Sequence, residues 1–210
     1  MKRIYLARHG QTEGNRLFKF VPKTEPLNST GHKQAEILAQ RVENLVVDKL
    51  YVSDFTRAQQ TIDPIAQQKD LEPEISVLFG ECEFPEYLLD LEYNSEVASR
   101  SRELFLSHLT NENWDHEKEA ESLFDLMQRN NAARELLESA EFESCLVVSH
   151  SYFLKSFIAT MLMKTQSPTN EWLSIIDTLS IKNAGISHLQ YDKNTGWQLI
   201  MLNDHAHFAE

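Results

Sequence analysis

Residues 144–150 read Ser144-Cys145-Leu146-Val147-Val148-Ser149-His150, and a matching run opens the chain as Lys2-Arg3-Ile4-Tyr5-Leu6-Ala7-Arg8-His9-Gly10. Each is a short β-prone run that closes on a histidine. A continuous apolar run without polar alternation fits a strand covered on both faces. Working outward, Tyr152 to Met163 is a strongly apolar helical stretch directly after the first run. From Gly31 to Asn44 the residues Ala35, Leu38, Ala39 and Val42 recur at the spacing of an amphipathic helix, with Thr30 placed to cap it. Leu45 to Val52 is expected as another strand. Asp54 stands where it can cap a helix reaching about Gln68, with Pro64 expected to kink or shorten it. A brief strand is expected over Ile75 to Leu78, then helices over about 96–110 and 117–140. The tail 178–203 reads as three short strands, with turns at Asn183-Ala184-Gly185 and at Asp192 to Gly196. Strands alternating with helices imply an α/β fold, a three-layer α/β/α sandwich with a mostly parallel central sheet.

At roughly 150 residues per domain, a chain of 210 residues reads as a single domain. The irregular, acidic stretch of about 84–120 reads as a variable insertion over the site. Within it, Glu112 to Glu121 is expected to be a solvated helix start. A hydrophobic content of 41% is too high for a disordered chain, and six glycines exclude a collagen-like repeat. The formal charge of -12 argues against a nucleic-acid or anionic-membrane partner. It leaves room for a local positive pocket built from a few arginines. Cys82 and Cys145 are too far apart for a disulfide framework or a zinc site, and they suit a reducing compartment. The apolar run after Met1-Lys2-Arg3 stops at Arg8, too short for a signal sequence, and no run approaches the ~20 residues of a membrane span. A soluble, cytoplasmic protein is the expectation.

The chemistry gathers where strands end. In open α/β sheets, sites form beyond the carboxyl ends of the strands. His9 and His150 both stand there, His9 flanked by Arg8. Arg57, in Ser53-Asp54-Phe55-Thr56-Arg57, is a second guanidinium able to reach the same crevice, and paired arginines suit phosphate oxygens. Thr12 and Asn15 can add hydrogen bonds. Taken singly, each has a plainer reading: a core histidine, a solvated arginine, a turn or cap residue.

Together, these residues resemble a known family. Arg8-His9-Gly10-Gln11-Thr12-Glu13-Gly14-Asn15 is similar to the RHGxTxxN signature of the histidine phosphatase superfamily, also called phosphoglycerate-mutase-like. Ser53 to Thr61 resembles its SDLxRAxQT motif, and Val147-Val148-Ser149-His150 its VSH motif. Glu121-Ser122 with Arg129, and the ending from Asn183 to His207, resemble the family too, so the likeness spans nearly the whole chain in order.

The resemblance implies a phosphatase that hydrolyses phosphomonoesters through a covalent phosphohistidine on His9. Arg8, Arg57 and His150 would surround the phosphoryl oxygens, with Asn15 and Ser151 assisting. His9 would need a backbone carbonyl to fix its tautomer. Glu81, in Phe79-Gly80-Glu81-Cys82-Glu83-Phe84-Pro85, aligns with the family's general acid, with Glu83 as competitor on the opposite face of an extended segment. Two residues depart from the family pattern: Pro85 and Ser151 stand where glycine is usual. No cofactor and no metal is called for; His205 and His207 are expected to be structural or surface residues. The expected partner is a phosphorylated small-molecule substrate. Two alternatives stand beside this reading: phosphoglycerate-mutase-type transfer, disfavoured because 79–99 has no basic residue, and a non-catalytic phosphate-ligand binder. Oligomeric state, the particular substrate and the orientation of Arg100 and Arg102 are not legible in the sequence.

Overall fold

In a computed structural model, residues 1–108, 120–164 and 167–208 are described. Six strands form one sheet in the order β3-β2-β4-β1-β5-β6. These are β1 (Lys2–Arg8), β2 (Lys49–Val52), β3 (Glu74–Ile75), β4 (Ser144–Ser149), β5 (Ile186–Asp192) and β6 (Gly196–Asp204). The first four are mutually parallel, and β5 and β6 add an antiparallel edge. The central strand β4 is the Ser144 to Ser149 run, and all six of its residues are buried, as its unbroken apolar character requires.

Period-two alternation divides the sheet between two cores. Tyr5, Ala7, Leu50, Val52, Leu146 and Val148 face α2 (Ser29–Val42) and α3 (Thr56–Lys69). Ile4, Leu6, Tyr51, Cys145 and Val147 face α5 (Leu123–Ser139), α6 (Ser151–Met163) and α7 (Asn170–Thr178). This is the expected α/β/α sandwich. The remaining helices are α1 (Glu13–Leu17), just after β1, and α4 (Glu96–Ser107), before α5.

Several local expectations are corrected. β2 starts at Lys49, because the Asp48 carboxylate accepts the N–H groups of Glu143 and Ser144 and pairing begins only there. Asn28, not Thr30, caps α2 through the N–H of Gly31. Asp54 caps nothing: Phe55 is the N-cap of α3, without a side-chain bond, and Ser53 Oγ accepts its N–H. Helix α3 runs through Pro64, on a side where Asp63 is exposed. There water can serve the carbonyl that proline leaves unpaired. The expected strand at 75–78 shortens to Glu74–Ile75, since the Ser76 hydroxyl accepts the N–H of Leu78 and turns the chain into a 3-10 turn, Val77–Phe79. Helix α7 lies where the sequence patterns assign no element; its Trp172 is fully buried and donates to Thr160 Oγ1 at 3.0 Å. The tail holds two strands rather than three, because Lys182 N–H and Gly185 N–H are tied into a loop. Glu121 is not solvated but paired and largely buried, and Glu112 to Glu119 of the same run lie outside the described residues.

Candidate active site

Strand register brings the two histidines together. Arg8 pairs with Ser149 across the parallel strands β1 and β4, so His9 and His150 leave the sheet side by side. The His9 N–H donates to the Ser149 carbonyl at 2.9 Å, and the two rings lie 5.0 Å apart. On the other side of β4, Val52 pairs with Val148, which sets Ser53 beside the same point. Gly10 is required here by packing. A Cβ on it would meet the Gly31 carbonyl at 2.5 Å, where the start of α2 rests backbone to backbone on the loop. The Gly10 N–H donates to Thr61 Oγ1 at 3.0 Å, pinning the loop from α3.

The tautomer of each histidine follows from its neighbours. His9 Nδ1 lies 2.6 Å from the Gly10 carbonyl, an acceptor only, so Nδ1 carries the proton and Nε2 keeps its lone pair. His150 Nε2 lies 2.8 Å from Ser53 Oγ. That hydroxyl already accepts the Phe55 N–H and has no other acceptor among the described residues, so its proton goes to Nε2. His150 then carries its ring proton on Nδ1, a buried atom with no protein partner among the described residues. Burial, followed by the charge of Arg57, holds both imidazoles well below the usual histidine range, so both are neutral at pH 7.

Both arginines reach this point. Arg8 Nη1 donates to the Ile181 carbonyl at 2.7 Å, while its Nε is buried without a partner among the described residues. Arg57 is 4% exposed, donates to the Pro22 carbonyl and stacks over Phe55 with 4.8 Å to the ring centre. Burial lowers both guanidinium groups from their usual range, and the nearby Glu81 charge opposes that. Asn15 forms a capping box with Thr12 at the start of α1, and Asn183 Nδ2 also donates to Asn15 Oδ1. With its carbonyl end so occupied, the Asn15 amide offers only its Nδ2 donor. Ser151 is the first residue of α6, where N–H groups lack partners within the helix.

Glu81 and Glu83 are separated by the structure. Glu81 Oε1 accepts from Phe153 N–H (2.9 Å) and Cys82 N–H (3.1 Å), and Oε2 from Tyr152 N–H (3.2 Å). Its carboxyl group therefore sits at the N-terminal end of α6, next to the turn that carries His150 and Ser151. Glu83 is exposed and pairs with Lys23. Pro85 is buried with φ of -55° and begins a second 3-10 turn, Glu86–Leu88.

Sequence reasoning missed three supports. Arg129 donates to the carbonyls of Leu78, Gly80 and Glu81 and forks onto the Glu121 carboxylate, with both contacts at 2.6 Å. This largely buried clamp holds the backbone that carries Glu81. Its partners were visible only as a family likeness. Asn183 bridges the His9 carbonyl and Asn15 at 3.0 Å each. Ser53 sets the His150 tautomer. The His205 and His207 rings lie against the carbonyls of Asn183 and Ala184 and so clasp the same loop. Arg100 and Arg102 are exposed and pair with Glu96 and Asp177. Among the described residues, no group of three or more His, Cys, Asp or Glu side chains could hold a metal ion. No described helix is long and apolar enough to cross a membrane. Burial, with Glu121 and Glu81 beside it, pushes the Cys82 thiol well up, so it stays protonated.

Paired strand-end histidines between the partly buried Arg8 and the buried Arg57 define a phosphoryl-transfer class of site, and the sequence profile of the histidine phosphatase superfamily (branch 1) matches residues 4–205. The chain belongs to that superfamily. It is 26% identical, over 99% of its length and 98% of the relative's, to a provisionally named phosphoserine phosphatase 2 of Hydrogenobacter thermophilus. It is equally 26% identical to a provisionally assigned phosphoglycerate mutase GpmB of Yersinia pestis, over 99% and 95% of the two chains. Among solved structures it superposes on a mutant phosphoserine phosphatase from Entamoeba histolytica in complex with phosphoserine. That match has a TM-score of 0.79 at 21% identity and covers 99% and 100% of the two chains.

Proposed function

We propose that the protein is a phosphatase that hydrolyses small phosphomonoesters through a phosphohistidine on His9. One observation carries the reading: His9 Nδ1 is committed to the Gly10 carbonyl, which leaves a neutral Nε2 lone pair between Arg8, Arg57 and His150. In the first step His9 Nε2 attacks phosphorus, the ester P–O bond breaks, and Glu81 gives a proton to the departing alcohol oxygen. In the second, the Glu81 carboxylate takes a proton from water, the oxygen attacks phosphorus, and the P–N bond breaks to release phosphate. Arg8 and Arg57 offset the charge on the phosphoryl oxygens. The His150 Nδ1–H, the Ser151 N–H and the Asn15 Nδ2–H are the neutral donors of the same pocket. These protein cations supply the charge that a metal ion supplies elsewhere, and no cofactor enters either step.

Glu81 rather than Glu83 is the acid in this reading, because Glu83 is held outward by Lys23. A mutase is disfavoured by the lack of any basic residue between Phe79 and Ser99, where a second anionic group would need one. The chain acts as one domain, with the segment 84–120 shaping substrate choice. The free, buried cysteines suit a reducing compartment, which supports a cytoplasmic location.

The test is intact-mass trapping, at neutral pH, of protein mixed with 4-nitrophenyl phosphate. An acid-labile phosphate adduct, absent in His9→Ala together with a loss of at least about 10³-fold in turnover, is the expected result. Unchanged turnover in His9→Ala overturns the reading.

A further inference from the structure

The rest of the molecule offers one feature the reaction above leaves unused. Two segments beside the site carry exposed large apolar side chains: Leu17 and Phe18 on one, Phe84, Tyr87, Tyr93 and Val97 on the other. Those segments are joined. Phe20 N–H donates to the Leu91 carbonyl, Asp90 N–H to the Phe20 carbonyl, and Tyr93 N–H to the Phe18 carbonyl, the last at 2.8 Å. Phe20 sits at the centre of an edge-on aromatic trio, 5.0 Å from Phe84 and 4.7 Å from Tyr93.

The trio is held by strained backbone. Phe18 has φ of 54° and Asp90 φ of 64°, the left-handed region. Phenylalanine enters that region only where its surroundings compel it, and such residues cluster at functional sites. Pro85 contributes as well. Its ring restricts Phe84, the residue before it, to extended backbone, so the departure from glycine stiffens the rim at Phe84.

We propose that this aromatic rim receives the organic part of the substrate, and that the substrate class is a phosphomonoester whose alcohol carries an uncharged aromatic or apolar body. The inference rests on the phosphatase reading above and adds its specificity. Three observations support it. The rim adjoins the phosphoryl pocket: Arg57 donates to the Pro22 carbonyl at 3.1 Å, two residues from Phe20, and Glu81 stands three residues before Phe84. The rings remain partly open, with Phe84 37% and Tyr93 46% exposed, so they offer contact area without first unpacking. The surrounding charges are negative on balance. Glu83, Glu86, Asp90 and Glu92 outnumber the cations Lys19 and Lys23, of which Lys23 pairs with Glu83, so a second anionic group on the substrate is repelled.

The experiment compares kcat/KM for 2-phenylethyl phosphate, ethyl phosphate and phosphoserine, esters of primary alcohols whose intrinsic reactivity is similar. The phenylethyl ester is expected to exceed the ethyl ester by at least about tenfold. That ratio is expected to fall to about threefold or less in Tyr93→Ala and in Phe84→Ala, and to persist in Val46→Ser, far from the rim. A ratio near one, a ratio untouched by both rim substitutions, or phosphoserine as the preferred ester overturns the proposal. If no ester is turned over, the phosphatase reading fails on its own. Calorimetric binding of 3-phenylpropylphosphonate against propylphosphonate then decides the rim separately: at least about tenfold tighter binding of the first supports it, and equal or undetectable binding of both overturns it.

Discussion

At the strand ends His9, Ser53, Arg57 and His150 are at most 4% exposed, whereas Phe84, Tyr87 and Tyr93 on the neighbouring rim are 37–49% exposed. The cradle is made of polar groups whose every orientation is dictated by a strand register, a carbonyl or another side chain. The rim is made of apolar rings set on 3-10 turns and a short backbone ladder. Burying the first group costs desolvation, and hydrogen bonds to fixed partners offset it. Leaving the second group open forgoes burial of apolar area at ~25 cal/mol per Å², a cost that only a ligand can recover. The contrast teaches a division of labour. On the proposed reading, what is common to all phosphomonoesters is met by the rigid layer, and what differs between them is met by the surface layer.

The sharpest break in that comparison targets Glu81, which lies in the cradle three residues before the rim residue Phe84. Glu81→Gln cannot supply a proton, so turnover of an alkyl phosphate is expected to drop by about 10² to 10⁴. The drop is expected to be far smaller for 4-nitrophenyl phosphate, whose leaving group needs no proton. Glu83→Gln should change either rate by less than about threefold. Equal losses in the two variants would remove Glu81 from its role.

Next comes the clamp beneath the acid. Arg129→Met strands the Glu121 carboxylate and frees three carbonyls, a loss expected at about 3–5 kcal/mol in urea unfolding. In the folded fraction, kcat is expected to fall with KM little changed, since the displaced group is the proton donor. A variant of full stability would show that the pair is not a buried structural one.

The pH dependence of stability reads chiefly the cradle, with a contribution of the same sign from His188 and His207, which burial also lowers. In the unfolded chain His9 and His150 take up protons as pH falls through about 6.5. In the folded protein burial keeps both neutral to well below that value. The unfolded state then binds more protons, so stability declines on going from pH 7.5 to 5.5, with a limiting slope of about 1.4 kcal/mol per unit for each histidine. Urea midpoints at the two pH values measure it; a flat profile contradicts buried neutral imidazoles. The smallest effect is expected for Asn183→Ala, which unties the His9 loop. A loss of about 1–2 kcal/mol is expected, with a modest fall in kcat. No change in either quantity would make that bridge dispensable.

These contrasts also explain what was legible beforehand. Strand β4 could be read because burial on both faces leaves an unbroken apolar signature. The histidines could be read because a strand's end is visible in sequence. Arg129 and Asn183 could not be given their tasks, since each acts on backbone carbonyls, and carbonyls carry no side-chain signal. Glu121 was misread as solvated because its partner lies eight residues on, beyond the reach of a local charge pattern. Helix α7 was missed because nine residues hold too few turns to show a period.

The parallel pairing of β1 with β4, and its antiparallel pairing with β5, also governs the birth of the protein. The first strand meets no neighbour until residue 144 has been made, and its second edge stays open until residues 186–191 arrive. The bond from Asn183 to the His9 carbonyl spans 174 residues. At about 5–20 residues per second, synthesis leaves the N-terminal strand waiting roughly 10–35 s for that tie. During that interval its unpaired N–H and C=O groups are a template for pairing with other chains. His9 is thus made long before the residues that fix it, so in the proposed mechanism the reactive imidazole is assembled only after residues 183–191 have emerged.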